Sequence, residues 1–222
     1  MTRLETFTDA AFAFAVTLLV IGGSDSVPAN FDEMLQAMKQ VPAFAASFAN
    51  IMLFWYAHHI WSRRFGLDDT PSILLSLLLI FVVLIYVYPL KAIYSGAIEF
   101  FSGGYFPSYF GLQSLGDLRD LLVIFGIGFG GLSGIIVLLN KHAHSIRDKL
   151  SLNDLELFDL QTETTHWNIN VIVAALSTLM AVFLPDRWVV VAGMFYGVFG
   201  IVLPWHAVHR GRLRDRLHPQ PS

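Results

Sequence analysis

Uncharged apolar runs of about 20 residues constrain this chain more than any other feature. The segment from Thr70 to Leu90 contains no Asp, Glu, Lys or Arg and consists mostly of Leu, Ile, Val and Phe. A helix of about 20 such residues crosses the roughly 30 Å hydrocarbon core of a bilayer. A soluble helix needs a polar face, and this segment provides none. The sequence therefore predicts an all-α integral membrane protein.

The composition supports this class and excludes several others. Of the 222 residues, 14% are charged and 55% are hydrophobic, whereas soluble domains carry about 25% charged residues. The absence of cysteine excludes disulfide frameworks and thiolate chemistry. A net charge of -3 gives no basic stripe, so nucleic acid is not expected as a partner. No spacing typical of a cofactor or metal site occurs, and neither is predicted.

Six apolar segments predict six transmembrane helices in one domain spanning residues 1–222. The predicted spans are 6–22, 41–61, 71–95, 118–140, 165–184 and 187–208, with a cytoplasmic linker at 141–164 and a basic cytoplasmic tail at 209–222. The segment 24–40 has apolar residues at helical spacing, which predicts a short interfacial helix. A cleaved signal peptide is disfavoured because Glu5 and Asp9 place acid where such a peptide is basic.

The distribution of lysine and arginine predicts the orientation. Cytoplasmic loops hold the excess of these residues in membrane proteins. One side of the predicted membrane collects ten: Arg3, Arg63, Arg64, Lys141, Arg147, Lys149, Arg210, Arg212, Arg214 and Arg216. The other side has Lys39, Lys91, Arg119 and Arg187. We therefore expect a multi-pass protein of the plasma membrane with both termini in the cytoplasm, which agrees with an even number of spans.

Asp9 is the main ionisable residue within a predicted span. Such residues are costly in hydrocarbon and mark either a polar network or a transport pathway. Asp9 lies near the cytoplasmic end of span one, at about the depth of His58 and His59 in span two, and Arg3 is within reach of the same zone. The sequence leaves both a structural role and a role in transport open.

A pattern of residues in the first three spans is specific enough to suggest a family. Span one contains Arg3, Phe7, Thr8 and Asp9, then Phe14 and the run Thr17-Leu18-Leu19, while span two carries Trp55 and the pair His58-His59, and span three ends at Pro89. This pattern resembles the transmembrane protein 175 family. The resemblance implies a homotetramer of six-span subunits whose first helix lines a central pore. It also implies passage of potassium and other monovalent cations through the lipid bilayer without a re-entrant selectivity filter.

The resemblance also implies roles for individual residues. It places Phe14, Thr17, Leu18 and Ile21 along the pore, and positions 14, 18 and 21 independently share one helical face. Hydrophobic layers at Phe14, Leu18 and Ile21 would form the gate. Asp25 continues this face and would form a ring of carboxylates at the outer mouth. The structural network that braces span one would comprise Arg3, Phe7, Thr8, Asp9, Trp55, His58 and His59.

Three other functions remain open alternatives. A proton-coupled secondary transporter could use Asp9 and the histidines as a relay, although neither inverted repeats nor broken helices are evident in the sequence. A non-conducting scaffold of the same fold could be sealed by Phe14. An intramembrane serine protease is suggested by Gly131-Leu132-Ser133-Gly134 with His206 and His209, but these residues are predicted at different depths. The glycines at 126, 130 and 134 are better explained by close helix packing, and no enzymatic activity is expected.

Overall fold

The computed structural model describes residues 3–21 and 28–217, and the regular structure within these ranges is helical. The helices are α1 (Arg3–Ile21), α2 (Phe31–Met38), α3 (Val41–Phe65), α4 (Thr70–Phe101), α5 (Leu115–Ser145), α6 (Asp154–Phe183), α7 (Val189–Met194) and α8 (Phe199–Leu217). Two short 3-10 helices, Asp186–Trp188 and Phe195–Val198, flank α7. The predicted all-helical class is therefore confirmed.

Local sequence explains where several helices begin and end. Capping boxes start two of them, with Ser114 and Asp117 at α5 and Asn153 and Glu156 at α6. The α3 helix ends at Phe65, and Gly66 caps it in the left-handed conformation with φ of 57° that glycine tolerates best. These caps are formed by residues that are close in sequence, so they fix the helix ends without contacts to other helices.

Five helical segments are long and apolar enough to cross a membrane. They are α1, α4, α5, α6 and the stretch from Asp186 to Arg216. The helix α3, which corresponds to the predicted span 41–61, is 25 residues long but is not among them. It carries Asn50, His58 and His59, which lower its mean hydropathy. The sixth span thus remains a prediction.

Several helices extend beyond the predicted spans. The α6 helix begins at Asp154 rather than at 165, and α5 continues to Ser145, so most of the predicted linker 141–164 is continuous with the membrane helices. The polar first turns of α6 are stabilised by its capping box, a signal independent of hydropathy. Likewise, α8 continues to Leu217 through most of the predicted tail.

The last apolar stretch is interrupted, which the sequence did not indicate. The 3-10 helix Phe195–Val198 separates α7 from α8. A 3-10 stretch within a helix marks a hinge or local strain. Glycine is frequent here, with Gly193, Gly197 and Gly200 in the same stretch, and its low helix propensity favours the break.

The core is built around α5, which packs against α3, α4, α6 and α7. Phe129 lies at its centre, 5.6 Å from the ring of Phe54 and 6.1 Å from that of Phe125. Glycines on α5 permit close approach of its neighbours, since a Cβ on Gly126 would meet Thr178 and one on Gly130 would lie 3.2 Å from Ala174. The predicted glycine ridge is confirmed at these two positions but is wrong at Gly134, where a Cβ would have no neighbour within 4 Å.

The contact between Gly128 and Tyr86 gives a direct test of this packing. A methyl group on Gly128 would overlap the ring of Tyr86, which is 3% exposed and held in the aromatic core. We expect Gly128→Ala to destabilise the protein by about 1–3 kcal/mol, the usual cost of overpacking. The measurement is the thermal unfolding midpoint of the detergent-solubilised protein.

Gly131→Ala is the matched control for this substitution. It makes the same chemical change three positions along the same helix, but a Cβ on Gly131 would have no neighbour within 4 Å. Alanine also has a better helix propensity than glycine. The control is expected to melt at or above the wild-type temperature, and equal destabilisation by both variants would contradict the packing argument.

The first helix lies at the edge of this bundle. The α1 helix packs mainly against α3 and α4, and its buried residues Thr8, Phe12, Ala15 and Leu19 recur every three or four positions. One side of α1 is therefore held by the subunit while the other is open. The short helix α2 confirms the helix predicted within 24–40, and Phe31, Met34, Leu35 and Met38 are exposed on it.

Candidate functional site: the exposed face of the first helix

Three of the four residues assigned to the pore lie on the open side of α1. Phe14 is 55% exposed, Ile21 is 65% exposed, and Thr17 is exposed between them. Phe7 lies seven residues before Phe14 and on the same side. We call the side that carries Phe7, Phe14, Thr17 and Ile21 the exposed face of α1. A broad hydrophobic face of this kind must meet lipid, another subunit or a pore.

Leu18 differs from the other three residues. Its side chain is only partly exposed and packs against the hydrophobic core, next to the fully buried Leu19. The helical angle from position 14 to 18 carries Leu18 towards α3 and α4. It therefore borders the exposed face rather than lying at its centre, and its contribution to a hydrophobic layer stays a prediction.

Thr17 is the polar residue of this face. Its hydroxyl donates a hydrogen bond of 3.0 Å to the carbonyl of Ala13 in the same helix. The donor is thereby occupied, so the hydroxyl oxygen presents its lone pairs outwards. Thr17 therefore places an acceptor oxygen on this face. The fifth predicted site, Asp25, lies outside the described residues.

Asp9 fixes the rotation of α1 against α3. The indole Nε1 of Trp55 donates a hydrogen bond of 2.8 Å to Oδ1 of Asp9. The ring of Trp55 in turn stacks on His59, with ring centroids 5.1 Å apart. Asp9 therefore points into the subunit, away from the exposed face. Asp9, Trp55 and His59 form a contact group, which supports their assignment to one network.

His58 connects α3 to α4. The residue is 2% exposed, and its Nε2 lies 2.9 Å from the hydroxyl of Ser76. The titratable groups near this imidazole ring are those of Asp9, Glu5 and His59. The sequence analysis did not assign either Ser76 or the buried Glu5 to this network. The sequence of an apolar helix does not indicate which residue a serine hydroxyl will contact. Only the packing of the helices determines that partner.

The other proposed network residues occupy different environments. Thr8 is buried, but its hydroxyl donates to the Leu4 carbonyl of its own helix at 2.9 Å. Phe7 is 56% exposed on the same side as Phe14. Arg3 is exposed at the start of α1. The structure thus brings together the centre of the predicted network, while Phe7 belongs to the exposed face.

Lys91 is a polar contact of α1 that the sequence analysis missed. It was counted only as a charge of the outer side, yet it is 5% exposed inside α4. Its Nζ donates a hydrogen bond of 3.0 Å to the carbonyl of Leu19 and lies 5.1 Å from the ring centre of Tyr109. Lys91 therefore links the end of α1 to α4 and to the following loop. A lone lysine within an apolar helix is the signal that could have identified it.

A large apolar cavity lies away from α1. It has a volume of about 1190 Å³ and is lined mainly by apolar residues of α4, α5 and the last helical stretch, with Asn50 and His166 among the polar ones. No residue of α1 lines it. The cavity is therefore separate from the exposed face.

Comparison with known proteins places these features in a family. Residues 3–89, which include the exposed face of α1 and the group around Asp9, match the family described as "Endosomal/lysosomal potassium channel TMEM175". A potassium channel of Marivirga tractuosa is 34% identical over 207 residues, covering 89% of this chain and 83% of that protein. The chain belongs to the TMEM175 family. The resemblance noted in the sequence is thereby confirmed.

Solved structures of TMEM175 proteins have the same fold. The potassium channel MtTMEM175, solved as a variant with a nanobody fusion, matches with a TM-score of 0.82 and 31% identity over 97% of this chain and 94% of that one. A TMEM175 homologue of Chamaesiphon minutus matches with a TM-score of 0.59 and 18% identity over 94% of this chain and 96% of that one. The second likeness concerns the fold alone.

The structure gives no support to the protease alternative within this TMEM175 chain. Ser133 is fully buried, and its hydroxyl has no hydrogen-bond partner among residues 3–21 and 28–217. The ring of His206 instead faces His166, with centroids 6.2 Å apart. The family and the matched relatives are ion channels and not enzymes.

His206 and His142 occupy two different kinds of site. His206 is 6% exposed, because α8 packs it against α6. His142 lies 2.7 Å from Oδ2 of Asp69. Partial burial raises the pKa of Asp69, but hydrogen bonds from Ser72 and His142 outweigh it and hold that pKa below its usual value. No cluster of three potential metal ligands occurs in the described part of the chain.

Proposed function

We propose that this protein is a potassium-preferring monovalent cation channel that assembles as a homotetramer, with α1 of each subunit lining a central pore. In this arrangement Phe14, Leu18 and Ile21 form hydrophobic gating layers, and no re-entrant loop forms a selectivity filter. The protein lies in the plasma membrane with both termini in the cytoplasm. Family membership and the potassium channels among its relatives support this function.

The arrangement of α1 is the observation that carries the proposal. The helix lies at the edge of the subunit, its outward side carries Phe14, Thr17 and Ile21, and Asp9 is held inwards by Trp55. Because α3 and α4 hold one side of α1, the opposite side can face the central axis of a tetramer. Four such faces would enclose a narrow apolar path that gates by dewetting.

The mode of selectivity follows from the same residues. Apolar rings give an ion no ligands, so discrimination must depend on dehydration at the narrow layers and on the acceptor oxygen of Thr17. Potassium holds its hydration shell less tightly than sodium does. Potassium should therefore pass more readily than sodium, which gives the preference that we propose.

A potassium flux assay tests this function. Purified protein in liposomes with an imposed potassium gradient is expected to set a potassium diffusion potential, and a sodium gradient is expected to give a smaller one. Protein-free liposomes and liposomes containing heat-denatured protein are the controls. A folded tetramer that passes neither ion would contradict the channel and favour the scaffold.

One observation keeps the secondary transporter as a second candidate. The 3-10 helix Phe195–Val198 interrupts the last apolar stretch, and broken helices are frequent at transporter binding sites. The half-buried His166 and the buried His206 lie on the helices next to it, with ring centroids 6.2 Å apart. A transporter would move potassium only together with or against protons. Potassium flux that requires and consumes an imposed pH gradient would favour this second function.

A further inference from the structure

A second cavity lies between α5, α6 and α8. It has a volume of about 400 Å³ and is lined by Lys141, His144, Gln161, Thr164, Thr165 and Arg210. It is distinct from the exposed face of α1, which is on other helices. Neither the family match nor the proposed channel function assigns it a role.

The lining of this cavity has the chemistry of an anion site. It combines two cationic side chains, a histidine and three uncharged polar residues, and among these described residues none is a carboxylate. Lys141 is exposed, so its ammonium group can reach an incoming ligand. Lysine and arginine are the side chains that bind phosphate oxygens most strongly.

Arg210 is held in place before any ligand arrives. Its Nε donates to the hydroxyl of Thr162 at 2.8 Å, one Nη donates to the carbonyl of Phe158 at 3.2 Å, and its guanidinium lies 4.0 Å from the ring centre of Phe158. A guanidinium carries five N–H donors. These bonds leave the second Nη group available at the cavity, and the side chain loses little entropy on binding.

Two carboxylates of α6 have cationic partners outside the cavity. Asp159 forms an ion pair with Arg214, with an Nε–Oδ1 distance of 3.1 Å. Glu163 has Arg64 as its cationic neighbour. Neither lines the cavity, so the positive charge of Lys141 and Arg210 is not neutralised there.

The position along the three helices indicates the depth of the cavity. The apolar run of α5 ends at Asn140, that of α8 ends at Val208, and the polar first turns of α6 give way to apolar residues after Asn170. Lys141, Arg210 and Thr165 lie close to these boundaries. The cavity therefore lies at the level of lipid headgroups on the side that holds most of the lysines and arginines.

We propose that this cavity binds the phosphate of an anionic glycerophospholipid. Basic pockets between transmembrane helices at headgroup depth bind such lipids. The open side at Lys141 and Thr165 admits the headgroup from the membrane surface, while Arg210 holds the phosphate against α6 and α8. The inference concerns binding alone, so it does not depend on whether the protein conducts potassium.

A lipid titration with one substitution tests the inference. Detergent-solubilised protein is titrated with short-chain phosphatidylglycerol, and the bound lipid is counted by native mass spectrometry. We expect Lys141→Gln to weaken binding about fivefold, since an interfacial lysine contributes about 1 kcal/mol to anionic lipid binding and 1.4 kcal/mol is tenfold. Lys141 is exposed, so the variant should keep its fold, which its unfolding midpoint checks.

Lys149→Gln is the matched control, because it removes the same charge from the loop between α5 and α6 but does not line the cavity. It should bind phosphatidylglycerol like the wild type. Equal weakening by both variants would show only general surface attraction and would overturn the site, as would unchanged binding to Lys141→Gln. Displacement of the lipid by inorganic phosphate at similar concentration would identify free phosphate as the ligand and overturn the lipid assignment.

Discussion

Replacement of Phe14 by alanine is expected to raise potassium flux through the reconstituted protein about tenfold, which corresponds to a barrier lowered by roughly 1.4 kcal/mol. Phe14 is 55% exposed on α1 and is the bulkiest residue assigned to the gating layers. Four phenyl rings around one axis would narrow the path and expel water from it. Alanine would widen the layer and allow it to hydrate.

The flux assay compares wild type and Phe14→Ala at equal reconstituted protein. Phe183→Ala is the control, because Phe183 is 78% exposed at the end of α6, a helix away from the proposed pore. The control should leave flux unchanged. Equal flux in wild type and Phe14→Ala would remove Phe14 from the gate, and a rise in both variants would point to membrane leakage.

Replacement of Asp9 by alanine is expected to destabilise the subunit by about 1.5–3 kcal/mol, the range for hydrogen bonds to charged groups. The substitution removes the 2.8 Å bond from Trp55 and leaves its indole N–H without that acceptor. It also releases the rotation of α1 against α3. We therefore expect a lower unfolding midpoint together with reduced potassium flux.

Asp9→Asn separates a structural role from proton transfer. Asparagine keeps an oxygen acceptor for the Trp55 indole but cannot titrate. In a channel, this variant should melt close to wild type and still conduct. Normal melting with abolished flux would instead indicate that Asp9 carries protons, as in the transporter alternative. Trp55→Phe combined with Asp9→Ala should show non-additive losses if the two side chains interact.

The sequence by itself determined the class and the family of this protein. Long uncharged segments such as Thr70 to Leu90 have one favourable environment, the bilayer, and this holds whatever their neighbours are. Residues of the first three predicted spans carried the resemblance that the comparisons with known proteins confirmed. Helical periodicity also placed Phe14 and Ile21 on one face, because the 3.6-residue repeat is fixed by the backbone.

Only the tertiary structure decided which polar groups meet. The bonds from Trp55 to Asp9 and from Lys91 to Leu19 join residues on different helices, and hydropathy alone does not specify such pairs. The interruption at Phe195–Val198 was also missed, since the effect of single glycines on a helix is not visible in the mean hydropathy of a long segment. The free energy gained by burying an apolar segment is the sum of the contributions of its residues, so it can be estimated from composition. Hydrogen bonds depend on the relative rotation of packed helices, which the folded bundle alone fixes.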